Sequence, residues 1–335
     1  MSMNPSLFLL ISLLLTVIST ACGSKNSQEQ KVANKQTAKK EVLGNFNADS
    51  AYHYVERQLE CGPRVPGSSG HKVCAAWLEH KLRSFNPDTI IVQKGEVRAY
   101  TGERLPIINI MASYNRTNPN RLLLLAHWDT RPWADNDPDL TKHNTPLPGA
   151  NDGGSGTAVL LEIARNLAMK KPSYGIDILL VDAEDYGRSG GFNDDGDSWC
   201  LGTKYFLDNM PYPDGLLPRY AIVLDMVGGR DAHFAREFTS HTQAKEYTDK
   251  IWNEAAALGL SKRFPNRVTA GVVDDHTFLN EAGIPAVDII ECDNQLTNGF
   301  PPYWHTMQDD MTNIDVHTLG DVGKTVLNIV YSPKI

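Results

Sequence analysis

Short apolar runs recur along the chain, and several stop abruptly at an acid or an imidazole. Residues 121–126 (RLLLLA) are continuously apolar, the pattern of a strand buried on both faces. Residues 176–182, 221–225 and 286–290 read the same way, and residues 89–94 and 109–114 carry further strand patterns. Between them, residues 155–170 repeat apolar positions at helical spacing, with Lys170 and Lys171 at the C-terminal end and Pro172 closing it. Residues 49–59 and 71–85 are amphipathic on the same spacing, with Asp49 placed to cap the first. A turn-rich loop covers residues 62–68, and a long polar loop runs from 127 to 151. Strands alternating with helices predict an α/β protein: one α/β/α sandwich with a mixed, mostly parallel central sheet.

The N-terminus breaks this pattern. Residues 7–21 form an apolar run ending in small residues, and Cys22 follows directly. This predicts a signal peptide over residues 1–21 of the lipoprotein type, with Cys22 lipidated. Residues 22–41 are polar and read as a flexible tether, leaving residues 42–335 as the working domain. No later stretch approaches the roughly 20 apolar residues that span a bilayer. The expected location is the periplasmic side of a bacterial envelope. Gly23, where inner-membrane lipoproteins often carry aspartate, points to the outer membrane. Export permits disulfides, and Cys61 and Cys74 are the nearest pair. Cys-x-x-Cys is absent, so a cysteine-based zinc site is not expected. The net charge of -8 and pI near 5.7 argue against nucleic acid as the partner.

Candidate chemistry gathers where the predicted strands end. His127 and Asp129 follow the first run, and Glu184 and Asp185 follow the next. Asp225 ends another, Asp274-Asp275-His276 opens a helix, and His305 comes late. Asp152 sits among glycines just before the long helix. Each has an ordinary reading alone: Asp152 or Asp274 as a helix cap, His127 as a hydrogen-bonded core histidine, Asp225 as a turn residue. Together they are the oxygen and nitrogen ligands that catalytic zinc takes. Strand-end loops of a parallel sheet can bring them together.

In that order and context, residues 121–305 resemble the M28-type zinc aminopeptidases. Within that superfamily the chain is more similar to the glutaminyl-peptide cyclotransferases. Arg64-Val65-Pro66-Gly67-Ser68, Asp274-Asp275-His276, Trp304-His305-Thr306 and the loop tryptophan Trp199 carry this likeness, which spans residues 42–335. The loop Arg131-Pro132-Trp133-Ala134-Asp135 looks like that of bacterial members. The chain departs from the animal enzymes at Asp185, where they have Glu, and at Ala126, where they have a disulfide cysteine.

The resemblance implies one zinc held by Asp152, Asp185 and His305, with Glu184 as proton shuttle. Asp225 and Asp274 would join Glu184 in an acidic hydrogen-bond network holding at least one proton at neutral pH. Trp199 and Trp304 would line the substrate pocket. His127 and Asp129 would serve a second metal or brace the first; His127 and Asp225 fill positions that hold a second metal in the aminopeptidases. The implied activity is cyclisation of N-terminal glutamine to pyroglutamate with loss of ammonia, by a monomer touching the membrane only through its lipid. A dizinc aminopeptidase and a non-enzymatic, lipid-anchored binding protein are the alternatives.

Overall fold

Six strands form one sheet in the order β1-β2-β4-β3-β5-β6. They are β1 (Thr89–Arg98), β2 (Arg104–Tyr114), β3 (Arg121–His127), β4 (Gly175–Val181), β5 (Tyr220–Asp225) and β6 (Ala286–Ile290). The last four run parallel, β2 is antiparallel to β4, and β1 to β2. The computed structural model describes residues 44–189, 198–213, 216–297 and 299–332. The signal segment, the tether and Cys22 lie outside them.

The continuous apolar runs are explained by helices on both faces. These are α1 (Ala48–Leu59), α2 (Ser69–Ser84), α3 (Gly154–Met169), α4 (Leu201–Asp208), α5 (Phe238–Gln243), α6 (Lys245–Ala257), α7 (Asp275–Glu281) and α8 (Val316–Val330). Leu122, Leu124 and Ala126 of β3 face the larger core, with residues of α1, α2, α3, α6 and α8. Leu123 and Leu125 face a smaller one, closed by Phe206 of α4 and Leu279 of α7. Truncating any of these leucines to alanine is worth about 2–5 kcal/mol. The expected α/β/α sandwich with a mixed sheet is therefore found. Among the described residues, no helix is long and apolar enough to cross a membrane.

Some expected boundaries move. The hairpin of β1 and β2 is longer than its sequence pattern, because β2 starts at Arg104 and alternates exposed and buried positions there. Helix α1 is capped by Asn47, which accepts the Ser50 N–H at 2.9 Å, so Asp49 sits in the first turn instead. Asp152 does not cap α3. The cap is Gly153, at φ 64°, where an added Cβ would meet the Asp129 carbonyl at 2.5 Å. The Cys61–Cys74 disulfide is not formed. Packing of α2 beside the end of α1 brings the two sulfurs into hydrogen-bonding contact, but both remain free thiols.

Two buried charges brace the loops at the C-terminal edge of the sheet. Arg64 donates to the carbonyls of Trp128 at 2.9 Å, Pro148 at 2.8 Å and Gly149 at 2.6 Å. Its own N–H donates to Thr130 Oγ1. Glu237 caps α5 through the Thr239 and Ser240 N–H groups, accepts from Val272 N–H at 3.1 Å, and faces His276 at 3.0 Å.

Burial works to raise the Glu237 carboxyl, but His276 and the two cap N–H groups outweigh it and hold the pKa down at about 2. A depressed carboxylate adds stability above its unfolded pKa, and that stability is lost as pH falls through the folded value. Glu237→Gln is thus expected to cost about 1–3 kcal/mol at neutral pH. The gap from wild type in urea unfolding should shrink as pH falls from about 5 towards 2. A gap that stays constant across this range would contradict the assignment.

Candidate active site

Every polar residue singled out above lies at or beyond the C-terminal end of a parallel strand, or on a loop facing that edge. His127 ends β3, Glu184 and Asp185 follow β4, and Asp225 ends β5. Asp274 is the N-cap of α7 and forms a capping box with Thr277, so its helix-cap reading holds alongside its place in the site. The backbone here is constrained: Ala183, Cys200, Met226 and His305 all have left-handed φ, between 47° and 56°.

Two sets of ligand-type atoms share Asp152. In the first, His305 Nε2 lies 3.3 Å from Asp185 Oδ1 and 3.6 Å from Asp152 Oδ2. In the second, His127 Nε2 lies 3.1 Å from Asp152 Oδ1 and 3.2 Å from Asp225 Oδ1. Within each set the candidate ligand atoms are within 4.8 Å of one another, and all the residues are buried. The first set fits zinc by its chemistry, two carboxylates and an imidazole. It also leaves Asp185 Oδ2 buried with no hydrogen-bond partner.

Asp129 is not part of either set. It accepts the backbone N–H of Glu184 at 3.1 Å and of Asp185 at 3.3 Å, and so fixes both from behind. Asp309 does the same for Asn151 at 2.8 Å and Asp152 at 3.1 Å. Nothing in the sequence flags Asp309, which is far from both in the chain.

Glu184 forms a third cluster with Asp274 and Cys200. The Cys200 thiol donates to Glu184 Oε1 at 3.3 Å, a contact the sequence reading missed. Burial pushes Glu184 well above the usual carboxylate range; the charges of Asp274, Asp185 and Asp275 add to this, and His127 opposes it. Burial and the Asp274 charge raise Asp275 to about 8. The acidic network differs from the expected one in two respects. Asp274 accepts the Asp275 N–H and faces Glu184 only as a neighbouring charge, with no hydrogen bond between them. Asp225 places its hydrogen bond on His127, because that ring lies between it and Glu184.

A cavity of about 320 Å³ opens onto this cluster, walled by Trp199, Trp304, Phe300, Met226, Val272 and Ile290. His305 is sandwiched between the two tryptophans. Trp304 stacks on it at 3.7 Å between ring centroids, and Trp199 lies nearly parallel at 6.1 Å. Both predicted pocket tryptophans are therefore at the site. A larger cavity of about 560 Å³ lies around Arg121 and Asp177, at the other end of β3 and β4, and contains none of these acids.

The model of peptidase family M28 matches residues 109–330, well over half the chain. The solved structure of Bacteroides thetaiotaomicron glutaminyl cyclase bound to N-acetylhistamine is 43% identical. It covers 87% of this chain and 100% of that one, with a TM-score of 0.84. A Zn-dependent exopeptidase from Parabacteroides distasonis is 44% identical over the same shares, with a TM-score of 0.83. Aminopeptidase YwaD of Bacillus subtilis is 25% identical over 274 residues, 80% of this chain, which spans only 54% of that protein's length. The ordered acids and imidazoles, their convergence at one sheet edge and these likenesses agree: the chain belongs to peptidase family M28.

Proposed function

We propose that this protein is a zinc-dependent glutaminyl-peptide cyclotransferase, converting N-terminal glutamine to pyroglutamate with release of ammonia. One observation carries the reading: Glu184 is not in either ligand set, yet its neighbour Asp185 is, and both open onto a small aromatic cavity. The likeness to bacterial glutaminyl cyclase over the whole of that chain supports it.

Asp152, Asp185 and His305 would hold the zinc, which supplies Lewis-acid polarisation of the side-chain amide. The α-amine and the amide carbon belong to one residue, so ring closure needs little further ordering. Glu184 takes a proton from the attacking amine and returns it to the departing nitrogen. The C–N bond of the ring forms as the bond to ammonia breaks. A carboxyl lifted above its ordinary range suits a group that must both accept and give a proton near neutral pH. Trp199 and Trp304 pack on the glutamine methylenes and keep water from competing with the amine.

One zinc is the count that the resemblance to the glutaminyl-peptide cyclotransferases implies, with His127 and Asp225 pairing with each other beside it. The second reading, a dizinc aminopeptidase, is favoured by Asp152 standing in both ligand sets. The N-terminal segment would carry the activity, on a lipidated Cys22, to the periplasmic side of the envelope. New N-termini arise there as signal peptides are removed.

The product separates the readings. Incubation with a peptide beginning in glutamine should give, by mass spectrometry, the same peptide lighter by ammonia. Free glutamine in its place would mean the aminopeptidase. Glu184→Gln should lower kcat by about 10²–10⁴-fold with KM little changed; an unchanged kcat would remove Glu184 from the mechanism.

The metal count is a second check. After chelation, activity should vanish, and titration with zinc should restore it fully at one equivalent per chain. Full activity only at two equivalents would support the dizinc reading.

A further inference from the structure

Behind the first ligand set, the buried guanidinium of Arg131 pairs with the half-buried Asp135. Arg131 is 1% exposed and grips Asp135 with two parallel bonds, Nε to Oδ1 at 2.9 Å and Nη2 to Oδ2 at 2.6 Å. Its remaining nitrogen, Nη1, reaches Asp185 Oδ1 and the Asp185 carbonyl, both at 3.3 Å. Asp135 in turn faces His305 Nδ1 at 3.5 Å. The Asn136 N–H donates to the His305 carbonyl at 3.1 Å, so one loop holds both the ring and the backbone of that histidine. One guanidinium thus ties together two members of the ligand set from behind.

We propose that Arg131 and Asp135 are positioning residues that fix His305 and Asp185 for zinc and set the affinity of the site. The inference rests on the reading that Asp152, Asp185 and His305 hold the metal. Three features of geometry carry it. His305 turns Nε2 to the carboxylates and leaves Nδ1 buried without a hydrogen bond, 3.5 Å from Asp135, so that carboxylate sits on the side from which the ring can be oriented. Asp185 Oδ1 accepts from Arg131, which leaves the buried, unpartnered Oδ2 as the atom free to bind. The guanidinium also lies 5.0 Å from the Trp199 ring, so the pocket wall rests on the same cation. An aspartate at position 185 is short, and a fixed fork behind it holds the carboxylate where a longer arm would otherwise be needed.

The test measures zinc affinity of the full chain by competition with a chromogenic chelator, together with the melting temperatures of metal-free and zinc-loaded protein. Asp135→Ala and Arg131→Lys should raise the zinc Kd by about 10–100-fold. Lysine fails because it lacks the planar fork that grips Asp135 with two parallel bonds while a third nitrogen reaches Asp185. Asp135→Asn, which keeps the shape, should melt close to wild type without metal, yet gain less on zinc addition. Asp139→Ala, an exposed acid in the same loop, should leave the Kd within about twofold. Folded Asp135→Ala and Asp135→Asn proteins with wild-type zinc affinity would overturn the proposal. So would an equal loss in Asp139→Ala, which would make the effect a property of the loop. A wild-type chain that binds no zinc would overturn both this inference and the metal reading beneath it.

Discussion

Like charges forced together out of water are the constraint on which this molecule is built. Asp152, Glu184, Asp185, Asp225 and Asp274 are all buried at one edge of the sheet. Leaving such groups charged and unpaired would cost several kcal/mol each. Arg131 stands among them as a fixed cation, and the imidazoles of His127 and His305 pair with the carboxylates. Raised carboxyls, Asp225 at about 7 and Asp275 at about 8, relieve the remainder by keeping protons. A site so balanced is poised to accept a dication, because adding one removes repulsion that the fold otherwise holds in check.

The sheet makes that balance rigid. The parallel strands β3, β4 and β5 are buried along their whole length, so their ends hold still. Backbone at the site is then free to be unusual. Ala183 and His305 hold left-handed φ without glycine, which is sustained only where neighbours over-determine the conformation. Asp129 and Asp309 supply that determination by accepting backbone N–H groups from the loops that carry the ligands. Arg64 adds a third brace by donating to the carbonyls of Trp128 and Gly149.

Much of this was legible in the chain because the relevant signals are local. An apolar run ending in an acid locates a strand end, and Asp152, Glu184, Asp185, Asp225 and His305 all read correctly as strand-edge or loop residues. What stayed hidden depends on pairs distant in sequence. Asp309 holding Asp152, Glu237 holding Val272 and Cys200 donating to Glu184 leave no periodic trace. The Cys61–Cys74 pair shows the converse, since nearness in sequence brought the sulfurs together without making the bond. The long hairpin of β1 and β2 is only partly visible in the sequence because only one face of its outer half is buried, which weakens the apolar signal. Helix α8, though regular in its apolar spacing, lies beyond the last motif and drew no assignment.

Glu184 and Asp185 are adjacent in the chain yet serve different ends. The turn at Ala183, held at φ 48°, sends Glu184 and Asp185 into two different environments. Asp185 meets the His305 imidazole and the Arg131 guanidinium, which offset part of the rise that burial and the Asp152 charge impose on its carboxyl. Glu184 meets a thiol and Asp274, a weak donor and a like charge, which keep it suited to a proton. The division of labour between ligand and proton carrier thus comes from what each neighbour faces. Exchanging the two roles would require rebuilding both walls of the cleft.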